Sequence, residues 1–69
     1  TLSPGDRGSD VKEMQLRLIN HGFLQGWPDG VFGENTKKAV IAARKHFGLP
    51  LSDAADYALL MRLGIMQFE

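Results

Sequence analysis

Residues 27–36 read Trp27-Pro28-Asp29-Gly30-Val31-Phe32-Gly33-Glu34-Asn35-Thr36. Pro28 pre-sets one backbone angle, Asp29 favours a hydrogen bond from its side chain to nearby backbone, and Gly30 accepts a positive φ. Pro-Asp-Gly is therefore a tight turn with a chemical cause. Phe32 follows it closely enough to pin the loop onto a core, and Gly33 opens a helix. Segments of helical periodicity flank the stretch, which makes it a rigid corner between two helices. Rigid loops on helical scaffolds also carry binding, so a ligand-contacting loop is the alternative reading.

Upstream, Val11, Met14 and Leu18 recur at helical spacing, with Leu16 and Ile19 widening the stripe. Ser9 and Asp10 are both good N-caps, and Asp10 with Glu13 has capping-box spacing. Glu13 and Arg17 form an i,i+4 pair of favourable order. Gln15 sits beside the stripe, where its amide is placed to bond the backbone of a neighbouring loop. Gly22 is a natural stop, so the first helix is expected over about residues 10–21. Residues 1–8 are a polar lead-in, in which Leu2 is a candidate anchor and Gly5 and Gly8 suggest two bends.

Downstream, a second helix is expected over about residues 34–47. Glu34 lies in its first turn, where the helix dipole favours an acid. Thr36, Ala39, Val40, Ala43 and Phe47 form the inward face, and Lys37, Lys38, Arg44 and Lys45 lie on other faces. The small residues Ala39, Ala42 and Ala43 permit close approach of another helix. Gly48 stops this helix and Pro50 prevents its return. Ser52 or Asp53 caps a third helix over about residues 53–63, carrying Ala54, Tyr57, Ala58, Leu60, Met61 and Leu63. Gly64 ends it, and Ile65-Met66-Gln67-Phe68 is a short apolar tail that packs back or leads into a neighbouring domain. Strand signals are weak throughout. The fold class is all-α, a small three-helix bundle with an ordered loop between the first and second helices.

With 69 residues the chain is expected to be one small domain, residues 1–69. It has no cysteine, so neither a disulfide nor a thiolate metal site staples it. Its 43% apolar content suits a packed core and not a disordered segment. Eight basic and eight acidic residues cancel, which leaves no net field to draw nucleic acid or an anionic membrane. No apolar run reaches the length of a membrane span, and no signal-peptide pattern is present. The first residue is Thr1 and not Met, which points to a processed protein or a module of a longer one.

The order and spacing of these residues resemble a known family. Gly5, Gly8, Asp10, Val11, Met14, Gln15, Leu18, Gly22 and Phe23 look like its first half. Asp29-Gly30-Val31-Phe32-Gly33, Thr36, Ala39 and Val40 look like its signature, and Gly48-Leu49-Pro50 like the segment that follows. The family is the three-helix peptidoglycan-binding domain, found as a targeting module beside cell-wall hydrolases. Two departures lie in the C-terminal half. Ala43 and Arg44 stand where the family usually has Phe-Gln, and residues 52–59 lack the Gly and Thr of its repeated loop. Capping and helical pattern survive both.

The resemblance implies a partner, bacterial peptidoglycan, and an attached catalytic domain, with action at a bacterial cell wall, in the periplasm or outside the cell, or from a phage against the wall. Peptidoglycan presents stem peptides with free carboxylates and sugar rings with apolar faces. Reading it takes an aromatic platform, amide or hydroxyl groups and a cation. Gln25, Trp27, Asp29, Asn35 and Thr36 supply the first two kinds, and Arg44 is the candidate cation. Each also has a purely structural reading: Trp27 as a lid on the core, Asp29 and Thr36 as supports of the turn and helix entry, Arg44 as a solvated charge, Tyr57 as a half-buried packing residue. No catalytic residue, metal site or cofactor is expected. His21 and His46 are 25 residues apart by number, without metal-ligand spacing, and Ser3, Ser9 and Ser52 sit at bends or caps. The segment is read as a monomeric, non-catalytic wall-binding module. The alternatives are a pro-domain or docking module of the same fold that regulates its own enzyme, and a helix-turn-helix DNA binder, which the zero net charge opposes.

Overall fold

The computed structural model describes residues 1–64 and contains three helices: α1 (Ser9–Asn20), α2 (Glu34–His46) and α3 (Tyr57–Arg62). The apolar tail at 65–68 lies outside the described residues. Val11, Met14 and Leu18 of α1 are fully buried, as the periodicity predicts, and Ile19 packs at the margin of the core. Leu16 does not join them and is 41% exposed.

The start of α1 differs from the expected capping box. The helix begins at Ser9, Gly8 holds the N-cap position, and no side chain caps it. The lead-in explains this. Residues 2–8 run as a strap across the corner, with Arg7 bridged antiparallel to Val31 and Gly8 N donating to Gly30 O at 3.0 Å. The strap delivers the chain to the helix with Gly8 at φ +125°, a conformation that glycine accepts readily. Gly8 O then accepts from Lys12 N, which closes the first turn without Asp10.

Each helix ends one residue before its expected limit. At α1, Gly22 N donates to Ile19 O and Phe23 N to Leu18 O. At α2, Gly48 N donates to Lys45 O and Leu49 N to Arg44 O. Both are Schellman ends in which a glycine turns the chain and occupies otherwise orphaned carbonyls.

Helix α3 is shorter than expected because residues 52–56 have other work. Leu2 and Ala55 exchange both backbone hydrogen bonds (2.7 and 3.0 Å), and Ala55 is fully buried. Ser52 Oγ accepts from Ala54 N in a local turn rather than capping a helix. Asp56 is the cap, accepting from Leu59 N at 3.1 Å. The late start sets the register. Leu59, Leu60 and Leu63 point inward, while Tyr57, at 58% exposure, faces outward and not into a half-buried niche. Phe32, 1% exposed, does pin the corner to the core, beside Ala39, Val40 and Ala43 of α2.

Candidate functional site

The corner is built on Gln15. Its side chain is 2% exposed and projects from α1 into the loop. Gly30 N donates to Gln15 Oε1 at 2.8 Å, which fixes the orientation of the amide. Gln15 Nε2 donates to Val31 O, Asp29 Oδ1 and Thr36 Oγ1, each at 2.9 Å. Two amide hydrogens serve three acceptors, so one is shared. Asp29 Oδ1 also accepts from Val31 N at 3.0 Å, the side-chain turn expected of Pro-Asp-Gly. These bonds hold the Asp29 carboxyl below the ordinary carboxylate range, the Val31 amide contributing most and Gln15 next. Gly30 closes the network. Its φ is +80°, and a Cβ there would stand 3.3 Å from Gly8 O.

This arrangement sorts the residues singled out in the sequence. Thr36 is 3% exposed, and its hydroxyl is engaged by Gln15. Asp29 is exposed, with its Oδ1 committed to the turn. Trp27 is 79% exposed and is no lid on the core. Gln25 and Asn35 come together in an open groove of about 290 Å³, together with Phe23, Leu24, Lys38 and Ala39. Leu24 and Ala39 give it an apolar floor. The side chains of Gln25, Asn35 and Lys38 make no hydrogen bond or ion pair with any described residue.

Arg44 is not the surface cation that its charge predicts, either solvated or free for ligand carboxylates: it is 4% exposed. Its guanidinium donates to Pro50 O, to Ala54 O at 3.0 Å and to Asp56 Oδ1 at 3.1 Å. It ties the segment before α3 to α2. Asp56 in turn is held below the ordinary carboxylate range, first by Arg44 and then by the Leu59 amide.

Lys38 and Phe23 belong to the groove and were not among the expected site residues. Lys38 was legible in principle, since it lies three positions after Asn35 and so on the same helical face. Phe23 also joins a ring cluster with His21, His46 and Phe47, with centroids 5.1–6.2 Å apart. His21 Nε2 lies 3.3 Å from Leu63 O. Among the described residues, no group of three His, Cys, Asp or Glu converges as a metal site. The groove offers carboxamides, one ammonium and an apolar floor, a set suited to holding a polar ligand.

The fold and groove define a small helical module with an open polar groove. The family described as "Putative peptidoglycan binding domain" matches residues 7–63, and the chain belongs to it. A spore cortex-lytic enzyme of Bacillus cereus is 45% identical over 54 residues, covering 78% of this chain and 21% of that protein. The chain thus matches about a fifth of the length of that relative. The crystal structure of the SleB N-terminal domain superposes with a TM-score of 0.86 at 39% identity, covering 90% of this chain and 85% of that one. The Burkholderia AP3 phage endolysin superposes with a TM-score of 0.85 at 31% identity, covering 99% of this chain and 26% of that one.

Proposed function

We propose that this chain is a non-catalytic module that binds bacterial peptidoglycan and holds an attached cell-wall hydrolase or remodelling enzyme on its substrate. It acts as a single domain and a monomer, at the bacterial wall or on the outer side of the cell, whether encoded by a bacterium or by a phage. One observation carries the reading. The corner uses Gln15, Asp29 and Thr36 for its own support, yet leaves Gln25, Asn35 and Lys38 without a partner among the described residues around a groove, with Trp27 exposed two residues from Gln25. Uncommitted polar groups beside an exposed aromatic ring are what a polar, partly apolar ligand needs. The family and its lytic relatives support the same reading. Of the two departures from the family pattern, Arg44 has a structural use: it anchors residues 50–56.

The test is co-sedimentation with purified insoluble peptidoglycan at low salt. The chain is expected in the pellet. Trp27 flanks the groove without lining it, so Trp27→Ala is expected to lower the pelleted fraction and not to abolish it, with helicity intact, because an exposed side chain contributes about 0.5 kcal/mol or less to stability. A chain that stays in the supernatant refutes wall binding. Targeting is separated from regulation in the parent protein, where deleting the module should leave its rate on a small soluble substrate unchanged.

A further inference from the structure

The groove's chemistry narrows the ligand, on the reading that the module binds peptidoglycan. We infer that the groove takes the stem peptide, through a carboxylate at Lys38 and peptide amides at Gln25 and Asn35, and that it does not take the glycan strand.

Three observations carry this. The first is charge. Among the described residues Lys38 lines the groove without a partner, and Glu34, one turn before it on α2, forms no ion pair with it. A peptide carboxylate complements that ammonium, whereas a sugar ring without a charged group does not. The second is size. A volume of about 290 Å³ lies at the low end of ligand sites and suits a short extended segment. Carboxamides at Gln25 and Asn35 each offer a donor and an acceptor, matching the two faces of a peptide unit. The third is the aromatic component. Among the described residues Phe23 is the one ring in the groove, and it is half-buried and packed against His21, His46 and Phe47. Stacking on a sugar takes an open ring face. The exposed ring, Trp27, does not line the groove.

The experiment uses the 69-residue chain labelled with 15N and four probes. These are intact peptidoglycan, glycan strands stripped of peptide by an amidase with the lactyl carboxylates so released capped as methylamides, a synthetic stem peptide, and the same peptide with every carboxyl amidated. Intact wall and free peptide are expected to bind, the peptide shifting the backbone amides of residues 25, 35 and 38. Amidating the peptide should weaken binding about fivefold, the loss of roughly 1 kcal/mol expected for one partly exposed ion pair. Lys38→Gln should weaken the free peptide by the same factor and abolish the difference between the two peptides. The difference should shrink as salt rises. Lys38 is exposed, so the variant is expected to keep its helical circular dichroism. Stripped glycan binding as tightly as intact wall overturns the inference and leaves wall binding standing. An unchanged affinity for the amidated peptide or for Lys38→Gln also overturns it. Failure to bind intact wall refutes the underlying reading as well.

Discussion

Replacing Gln15 by Glu keeps the shape of the side chain and reverses its hydrogen-bonding sense. One carboxylate oxygen still accepts from Gly30 N, but the other takes the place of Nε2, 2.9 Å from Val31 O, Asp29 Oδ1 and Thr36 Oγ1. The threonine hydroxyl can rotate to donate, whereas the other two acceptors lose their hydrogen. At about 1 kcal/mol per bond this removes about 2 kcal/mol. Placing a carboxylate at a site 2% exposed costs at least about as much again. The sum, about 4 kcal/mol, stands against a total stability of about 3–10 kcal/mol for a domain of this length. Gln15→Leu also leaves Gly30 N unpaired but buries no charge and adds apolar contact, so its cost is smaller, about 2–3 kcal/mol. Urea unfolding followed by helical circular dichroism at pH 7 should rank wild type above the leucine variant, and that above the glutamate variant. pH gives a second readout. Burial raises the folded-state pKa of the new glutamate above its unfolded value, so the folded form binds more protons and gains stability as pH falls. The gap to wild type should therefore narrow from pH 7 to pH 5. A glutamate variant within about 0.5 kcal/mol of wild type at pH 7, or a gap that widens towards pH 5, refutes the view that Gln15 holds the corner.

Gly30→Ala forces a Cβ onto a φ of +80° and to within 3.3 Å of Gly8 O, at a cost of about 1–3 kcal/mol; Gly33→Ala, with no positive φ and open space, should cost well under that in the same unfolding assay. Arg44→Met leaves Pro50 O, Ala54 O and Asp56 without their donor and should cost about 2–3 kcal/mol, and Arg44→Lys should fail to restore it because an ammonium lacks the planar fork. Asp29 and Asp56 both have lowered folded-state pKa values, so their stabilisation is present above the unfolded value of about 3.9 and lost as pH falls through the lower folded values. The denaturation midpoint should hold between pH 7 and 5, then drop below pH about 4, with Asp56→Asn removing part of the drop; a midpoint flat to pH 2 contradicts this.

Helix existence, the buried stripe of α1 and the Pro-Asp-Gly turn were legible because each rests on local periodicity or local backbone chemistry. The role of Gln15 was legible for the same reason, since an amide beside an apolar stripe must find partners when it is buried. What escaped depends on contacts distant in sequence. The start of α3 is set by Leu2 pairing with Ala55, across more than fifty positions, and no cap preference at Ser52 or Asp53 registers that. Arg44 lies four positions after Val40 and so falls on the inward stripe, but its charge made it read as surface. Its burial follows from three acceptors that appear only once residues 50–56 fold back. The groove was half legible. Residue type alone marks Gln25 and Asn35, while their convergence with Lys38 is produced by the loop lying over α2.

The groove's small size bears on how such a module acts. On the proposed reading, a ligand seated in about 290 Å³ and held by two amides and one ammonium gains only a few weak bonds, each screened or shared with water. Single-site affinity should therefore be low. A low affinity suits a module joined to an enzyme that works along a polymer. Tethering replaces a search in solution by a local concentration of order mM for a short flexible linker, so a weak contact is enough to retain the enzyme. A tight contact would pin it, because release would then become slower than cleavage. Strengthening the site should expose this trade. Ala42→Lys, exposed one turn after Lys38 on α2, would add a second cation beside the groove and raise affinity for isolated wall fragments, measured by calorimetry. Where the module is joined to a cell-wall hydrolase, as proposed, the same change should slow wall clearance at limiting enzyme while leaving the first turnover unaffected. If tighter binding instead speeds clearance in proportion, then retention limits this system and release does not, and the advantage assigned to a shallow groove disappears.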